Sequence, residues 1–400
     1  MRRYVYTARE TATDKKVKSV VQAESETAAG KLLIERGLAP ISIHEEEDSF
    51  LKKFNSHVAT KDKIVFTRQL ATLIGAGLPL TQSLHTVLDQ IQSKPFKAII
   101  EDVTSSVESG KTLGESFGKH PEVFDKVYLA LVSAGEVSGT LDDALKRVAN
   151  QQEKDAAMMS KIRGAMTYPI IVVVVIFLVI GFMLFTVVPQ VETLYEDLGE
   201  ELPFLTRMMV DMANFIMSPG VIILVAVVVG LVVGFKQYIK TEGGIKFKDT
   251  FKLNVPLFGQ LFRKLYMARF TRTAQTLLST GVAMLDTLHI SGEAANNTVV
   301  QQSIENAADK VKGGKPLSTA IKDQEYILPL VPQMSKIGEQ SGKMDEMMGK
   351  AAQVYEDEVD EQIRTISTLI EPILMVLLAV MAGGMIGAIL FPIYGLVNSV

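Results

Sequence analysis

Three stretches of this chain carry no charged residue, while the sequence between them is dense in Lys, Glu and Asp. Ile170 to Val188 runs 19 residues without a charge between Pro169 and Pro189, Met212 to Phe235 runs 24, and Pro372 to Val400 runs 29. A helix rises about 1.5 Å per residue, so roughly 20 apolar residues cross the hydrocarbon layer of a bilayer. The pattern predicts three transmembrane helices, at 168–190, 212–235 and 371–396, rather than buried core helices. Lys154, Lys161 and Arg163 precede the first run, and Lys236, Lys240, Lys246 and Lys248 follow the second. The connection between those two holds only Arg207 beside six acidic residues, and nothing basic follows the third run. Basic residues collect on the cytoplasmic side. The expected topology is therefore a cytoplasmic N-terminus and middle segment, an extracytoplasmic loop at 191–211 and an extracytoplasmic C-terminus.

The polar stretches show helical spacing. Leu70, Leu73, Ile74 and Leu78 mark one stripe, and Ile99, Ile100, Val103 and Val107 another. Glycines at 77, 110, 118, 135 and 139 punctuate the stretch into short helices. The same text then returns. Phe66-Thr67-Arg68 to Gly77 aligns with Phe270-Thr271-Arg272 to Gly281 at an offset of 204, and Val107 to Leu113 aligns with Val311 to Leu317. After a slip of one residue, Gly135-Glu136-Val137-Ser138-Gly139 meets Gly338-Glu339-Gln340-Ser341-Gly342. Several matches in one order indicate a duplicated unit of about a hundred residues, each copy leading into an apolar helix. The predicted fold class is an all-α membrane protein. It has two duplicated cytoplasmic antiparallel helical bundles, at 58–167 and 262–370, and three transmembrane helices.

The first 48 residues differ. Tyr4-Val5-Tyr6, Val17 to Val21 and Ile41-Ser42-Ile43 read as short strands, with a helix from a Ser25 cap to Gly37. This predicts a small α+β module at 1–48, joined by a charged link (Glu45 to Asp48, Lys52, Lys53) to the first bundle. The start of the chain, Met1-Arg2-Arg3-Tyr4, has no apolar stretch behind it and does not resemble a cleaved signal peptide.

Composition narrows the chemistry. The chain holds 41 basic and 45 acidic residues and no Cys. The slight negative balance suggests no nucleic-acid partner, and thiol chemistry and disulfides are excluded. The five His residues (His44, His57, His85, His120, His289) show no ligand spacing, so neither a metal nor a catalytic residue is assigned. Ser109-Gly110-Lys111-Thr112 looks like part of a phosphate loop. Ser105 stands where that loop needs its first Gly, a helical stripe precedes it instead of a strand, and the second copy has Lys315-Pro316. It reads as a turn, and no cofactor is expected. No Asp, Glu, Lys, Arg or His lies in the three apolar runs, which disfavours a coupled transporter. Gly230 with Gly234, and Gly383 with Gly387, have the spacing that lets helix backbones approach closely.

Two constellations stand out as candidate sites. The first is the paired Gly-Glu-x-Ser-Gly, with Gly135, Glu136, Ser138 and Gly139 in one copy and Gly338, Glu339, Ser341 and Gly342 in the other. Its glycines allow a tight break between helices, and Ser138 or Thr140 could cap the helix that follows. Glu136 and Glu339 either accept hydrogen bonds from turn amides or meet a moving partner or second subunit. The second is a basic stretch, Arg263, Lys264, Arg269 and Arg272, with Arg68 at the position equivalent to Arg272. It is either a solvated or headgroup-facing surface or a partner site.

Taken together, these motifs resemble a known family. Phe66 to Leu73 with Gly77-Leu78-Pro79-Leu80, Ala134-Gly135-Glu136 with Ser138-Gly139, and Tyr168-Pro169 opening a span that ends at Val188-Pro189 are similar to the protein F family of type II secretion systems, which includes the platform proteins of type IV pili. Val255-Pro256-Leu257-Phe258-Gly259 leading into Phe270-Thr271-Arg272 fits the same pattern, and Val282-Ala283-Met284 departs from it where the first copy has Leu78-Pro79-Leu80. The resemblance implies an oligomeric inner-membrane platform, a dimer or larger, with no enzymatic activity of its own. Its implied partners are a cytoplasmic hexameric assembly or retraction ATPase, pilin subunits, other inner-membrane pilus proteins and the lipid bilayer. A type II secretion platform driving a pseudopilus is the near alternative, and a membrane transporter the distant one.

Overall fold

The computed structural model of the chain describes residues 2–10, 16–23, 30, 38–45, 58–198, 204–256 and 258–399. These fall into two compact units, residues 1–62 with 91–99, and residues 63–90 with 100–400. In the first unit, β1 (Arg2–Glu10), β2 (Lys16–Ala23) and β3 (Leu38–Glu45) form an antiparallel sheet in the order β2-β1-β3. Val5 lies opposite Val20 on one side and His44 on the other. The strands outrun their apolar kernels because backbone pairing continues into the flanking polar residues. The helix expected between Ser25 and Gly37 lies outside the described residues except at Gly30, as does the charged link from residue 46 onward.

Helices make up the rest. The first copy holds α1 (Thr60–Gly75), α2 (Leu80–Leu88), α3 (Lys94–Glu108), α4 (Leu113–Gly118) and α5 (Lys126–Ser138), then the long α6 (Leu141–Phe182). One π-helical turn (Met183–Val187) leads into α7 (Val188–Leu198), followed by α8 (Phe204–Met217), α9 (Gly220–Tyr238) and α10 (Glu242–Asn254). The second copy is α11 (Gly259–Ser279), α12 (Met284–Ala294), α13 (Thr298–Lys312), α14 (Leu317–Lys322), α15 (Leu330–Ser341) and α16 (Met344–Ser399).

The duplication is visible in the backbone. The starts of α2 to α5 recur 204 residues later, Leu80 at Met284, Lys94 at Thr298, Leu113 at Leu317 and Lys126 at Leu330. Helix α5 has 13 residues and α15 has 12, so the one-residue slip is absorbed there, and α6 recurs as α16 at an offset of 203. Three glycine pairs, Gly77 and Gly281, Gly110 and Gly314, and Gly139 and Gly342, all take φ between 70° and 90°. A Cβ makes that left-handed backbone costly, which is why each of these helix breaks carries glycine in both copies.

Each bundle closes on its own core. In the first, Phe117 lies 4.3 Å from Phe124 and 5.2 Å, edge to face, from Tyr128 by ring centroids, with Phe66 beyond. Burial pushes the Tyr128 phenol well above its ordinary pKa, and its oxygen sits 3.2 Å from the Thr67 hydroxyl. In the second, Phe270, Leu288, Ile304, Leu317, Ile321 and Val359 form the centre. Met158 of α6 is buried in this same core, with Ile162 beside it, so the long helix of the first copy packs into the second.

The apolar part of the chain departs from expectation in three ways. Pro169 and Pro372 do not open new helices, and α6 and α16 run straight through them. A mid-helix proline removes one backbone hydrogen bond, and the unbroken ladders on either side carry the helix across. The run at 212–235 is not one helix. It breaks at Ser218-Pro219, where the Ser218 hydroxyl bonds the Phe215 carbonyl at 2.8 Å and Pro219 stands just before α9 at its N-cap. The segment at 191–211 is largely helical in α7 and α8, where Val188, Val210 and Ala213 pack together with Leu184 of the π-helical turn, while 199–203 lie outside the described residues. Among the described residues, two helices are long and apolar enough to cross a membrane, Leu141–Asp197 and Met344–Gly387. A third candidate is the bent pair Ile223–Tyr238 and Glu242–Asn254.

Candidate functional site

The Gly-Glu-x-Ser-Gly turns join the last short helix of each bundle to its long helix. Gly139 and Gly342 end α5 and α15 in the left-handed conformation, and the Thr140 amide returns to the Gly135 carbonyl at 2.8 Å. The first glycine of each motif has a separate duty. A methyl group on Gly135 would strike the Ala144 side chain and stand 3.2 Å from the Leu141 Cα, and one on Gly338 would stand 2.9 Å from the Met344 Cα. The long helix thus crosses too close for any side chain. The serines do not cap the following helix, contrary to the expectation. Ser138 donates to the Ala134 carbonyl at 2.7 Å and Ser341 to the Ile337 carbonyl at 2.8 Å, and Thr140 makes no side-chain cap bond. In a last helical turn the carbonyl four residues back is the nearer acceptor.

Glu136 reaches back to α4. Its two carboxylate oxygens accept from the Leu113 amide at 2.8 Å and the Gly114 amide at 3.1 Å. Glu339 does the equivalent at α14, accepting from the Ser318 amide at 3.2 Å and the Ser318 hydroxyl at 2.5 Å. Each therefore supplies acceptors to a helix start whose amides have no intrahelical partner. Of the two readings of these residues, this geometry supports turn chemistry. Glu136→Gln keeps one acceptor but turns an NH₂ toward the second amide. We expect it to destabilise the first bundle by about 1–3 kcal/mol, the scale of a charge-assisted bond lost to a buried donor. Glu339→Gln should cost less, since a rotatable serine hydroxyl is one of its partners. Thermal melting of the purified chain in detergent would check the order, and equal losses would count against it.

The same short helices carry the Ser109-Gly110-Lys111-Thr112 segment. It is the turn between α3 and α4, and Thr112 caps α4 by accepting from the Glu115 amide at 3.1 Å. The copies diverge beside α14, where an open cleft of about 590 Å³ is lined by Ser318, Thr319, Lys322 and Lys336. The first copy has Gly114, Glu115 and Gly118 at the first three of those positions.

The basic residues are engaged within the chain. Arg68 forks onto Glu153 of α6 at 2.9 and 2.6 Å and also donates to Asn150. The fork holds the Glu153 carboxyl below its ordinary pKa. Arg272 repeats the arrangement on Glu356 of α16 at 2.6 and 2.7 Å, with Gln275 as its third partner. The two acceptors are 203 residues apart, so both members of the pair were duplicated. Arg263 donates to the Leu253 carbonyl and Asn254 at the end of α10, each at 3.1 Å, and lies over the Tyr326 ring. Lys264 pairs with Glu358 at 3.0 Å. The stretch is not an open basic surface, because its cations serve the long helix and its neighbours.

A second set of polar contacts ties the copies together. Lys154 of α6 reaches Glu356 at 3.2 Å, Lys161 reaches Asp360 at 2.5 Å, and Arg269 stands 4.0 Å from Asp155. Arg147 donates to Ser279 at 2.7 Å, and Lys126 of α5 reaches Glu293 of α12 at 2.6 Å. Glu356 is the shared acceptor, receiving Arg272 from its own bundle and Lys154 from the other copy. Sequence reading missed these partners, although aligning Glu153 with Glu356 at the slipped offset would have flagged them. Each bundle is clamped to a long helix, the two long helices are pinned to each other, and both continue into apolar sequence. Gly230, Gly234 and Gly383 face open space within the chain.

Comparison with known proteins agrees with this duplicated architecture. The family model for type II secretion system (T2SS), protein F, matches residues 66–189 and again 270–392, one match per copy. The type IV pilus assembly protein PilC of Thermus thermophilus is 36% identical over 99% of this chain and 98% of its own length. PilC of Myxococcus xanthus is 37% identical over 96% of this chain and 92% of its own length. The type II secretion system protein F of Aeromonas hydrophila is 31% identical over 95% of this chain and all of its own length. With two clamped bundles, two long helices and both family matches in register with the repeat, this chain belongs to the type II secretion system protein F family.

Proposed function

We propose that the chain is the inner-membrane platform of a type IV pilus machine. In this reading a cytoplasmic hexameric ATPase docks on the helical bundles, and its movement is passed to pilin subunits entering or leaving the bilayer. The observation that carries it is the continuity of α6 and α16 from bundle to apolar segment. From Leu141 to Pro169 and from Met344 to Pro372 each is 29 residues, so each spans about 40 Å of stiff helix. A displacement of either bundle is delivered at the membrane, and the cross-links at Glu356 and Asp360 make the two helices move together. The chemistry asked of the chain is transmission of force, and nucleotide hydrolysis belongs to the partner.

The pilus reading is favoured by the 36–37% identity to pilus assembly proteins. A pseudopilus platform of a secretion system is the second reading, motivated by 31% identity to a protein F over its full length. A strain lacking the chain should lose surface pili and keep its secreted enzymes. Loss of secretion with normal pili would select the second reading.

The Lys and Arg asymmetry supports an orientation with both bundles in the cytoplasm, three spans (α9 being the middle one) and an extracytoplasmic C-terminus. As the chain has no Cys, single cysteines at Glu196, Ser93 and Asn306 can be labelled selectively in intact cells. Only the one at 196 should react with an impermeant reagent. Reaction at 93 or 306 would reverse the topology.

A further inference from the structure

Helix α10 leaves α9 at an angle of 98°. The corner is built rather than loose. Thr241 caps α10 by accepting from the Gly244 amide at 3.2 Å, and its hydroxyl bonds the Tyr238 carbonyl at 2.6 Å. Gly244 lies so near that carbonyl that a Cβ there would collide with it. One face of α10 is fastened to the second bundle. Buried Asp249 accepts from the Thr298 amide and hydroxyl, both at 2.9 Å, Asn297 donates to the Asp249 carbonyl at 3.2 Å, and Leu253 is buried in the core of that copy.

The opposite face carries two large aromatic side chains turned away from the protein. Phe247 and Phe251 are 55% and 61% exposed and stack on each other with ring centroids 6.3 Å apart. At about 100° per residue they lie about 40° apart around the helix, with Lys246 and Lys248 about 100° to either side of Phe247. Lys252 extends the basic flank, and Lys236, Tyr238 and Lys240 stand at the corner itself. An exposed aromatic pair edged by lysines is costly in water and suited to the boundary between headgroups and acyl chains.

We propose that α10 is an interfacial anchor that lies in the cytoplasmic leaflet beside α9, buries Phe247 and Phe251 at the level of the acyl-chain boundary and gathers anionic lipid headgroups with Lys246 and Lys252, while Lys248 stays 3.8 Å from the buried Asp249 carboxylate. The occupant is the bilayer because α10 is continuous with an apolar helix through a rigid right-angled corner. The lysines match the negative charge of that leaflet. The anchor would hold the second bundle, through Asp249 and Thr298, at a fixed height above the membrane. This inference rests on the reading that α9 crosses the membrane.

The chain has no Trp, so an introduced one is a clean reporter. Full-length Phe247→Trp and Phe251→Trp would be reconstituted separately into vesicles of phosphatidylcholine with or without phosphatidylglycerol, using acyl chains brominated near the headgroup end. Both reporters should show blue-shifted emission and lose most of it to the brominated lipid. The quenching should be stronger with phosphatidylglycerol, and the Lys246→Gln, Lys252→Gln double change should reduce that gain. Val137→Trp, at an exposed site far from the apolar segments, should stay unquenched. Val228→Trp, in the middle of α9, should be quenched by bromine placed deep in the chains. Water-like, unquenched emission at 247 and 251 with quenching at 228 would overturn the anchor while leaving the span intact. Blue-shifted but unquenched emission would place protein, such as a second copy, on that face and overturn it equally. Equal quenching with and without phosphatidylglycerol would overturn the headgroup selectivity. No quenching at 228 would remove the span and the anchor together.

Discussion

Arg272→Ala is expected to destabilise the second bundle severely, while Arg68→Ala, the same change at the duplicated position, should be nearly silent. Both arginines form a two-pronged pair with a glutamate on the long helix, and the difference lies in solvent. Arg272 and Glu356 are each 15% exposed, whereas Arg68 and Glu153 are 36% and 44% exposed. Removing one partner of a largely desolvated pair strands the other charge and costs about 2–4 kcal/mol. An exposed pair is screened by water and contributes about 1 kcal/mol or less. Lys154 would remain on Glu356 at 3.2 Å and soften the loss, which keeps the expected value toward the lower end. Thermal melting of the purified chain in detergent, with hydrogen exchange to localise the opening, should show early loss of protection in α11 and α16 for Arg272→Ala alone. The charge-swapped double variant, Arg272→Glu with Glu356→Arg, should recover part of the loss in α11 and set Lys154 against a like charge. Equal destabilisation by the two alanine variants would mean that burial is not what separates the copies.

Breaking the helix between bundle and membrane should abolish pilus assembly without lowering the amount of protein. An insertion of Gly-Gly-Ser-Gly after Ser367 lies beyond the last cross-link, Lys161 to Asp360, and before Pro372. The Arg272 clamp and the bundle core, apart from the partly buried Ile370 at its edge, lie upstream and should remain intact. Glycine costs about 1 kcal/mol per helical position and a run of it makes the segment a flexible joint. If α16 transmits displacement as a rigid rod, the joint dissipates it. In the platform role proposed above, surface pili should disappear while membrane levels and co-purification of the proposed ATPase partner stay normal. Inserting seven helix-forming residues at the same point adds about two turns and preserves the phase of the helix, so it should retain measurable assembly. Normal piliation with the glycine insert would sink the rod mechanism for α16.

The helical bundles and their duplication were legible without coordinates because both depend on local chemistry. Apolar side chains at three- and four-residue spacing mark a helix that buries one face, and glycine marks the places where φ is positive, so Gly77, Gly110 and Gly139 announced their turns and their repeats. The uncharged runs were legible for the same reason, since hydrophobic length is a property of composition. What the charges do was not legible. Arg272 and Glu356 stand 84 residues apart, and only packing α11 along α16 brings them within 2.7 Å. A basic stretch therefore looked like an open surface when its side chains were clamps. Prolines were equally ambiguous in one dimension. Pro169 and Pro372 sit within continuous helices and Pro219 stands at a break just before one, because the outcome depends on whether neighbouring groups, such as the Ser218 hydroxyl, offer the backbone another partner. The right-angled corner before α10 combines a local close approach with a tertiary clasp, and neither shows in the residue pattern. Gly244 against the Tyr238 carbonyl and Asp249 on Thr298 turn that helix so that its lysines flank an exposed aromatic face.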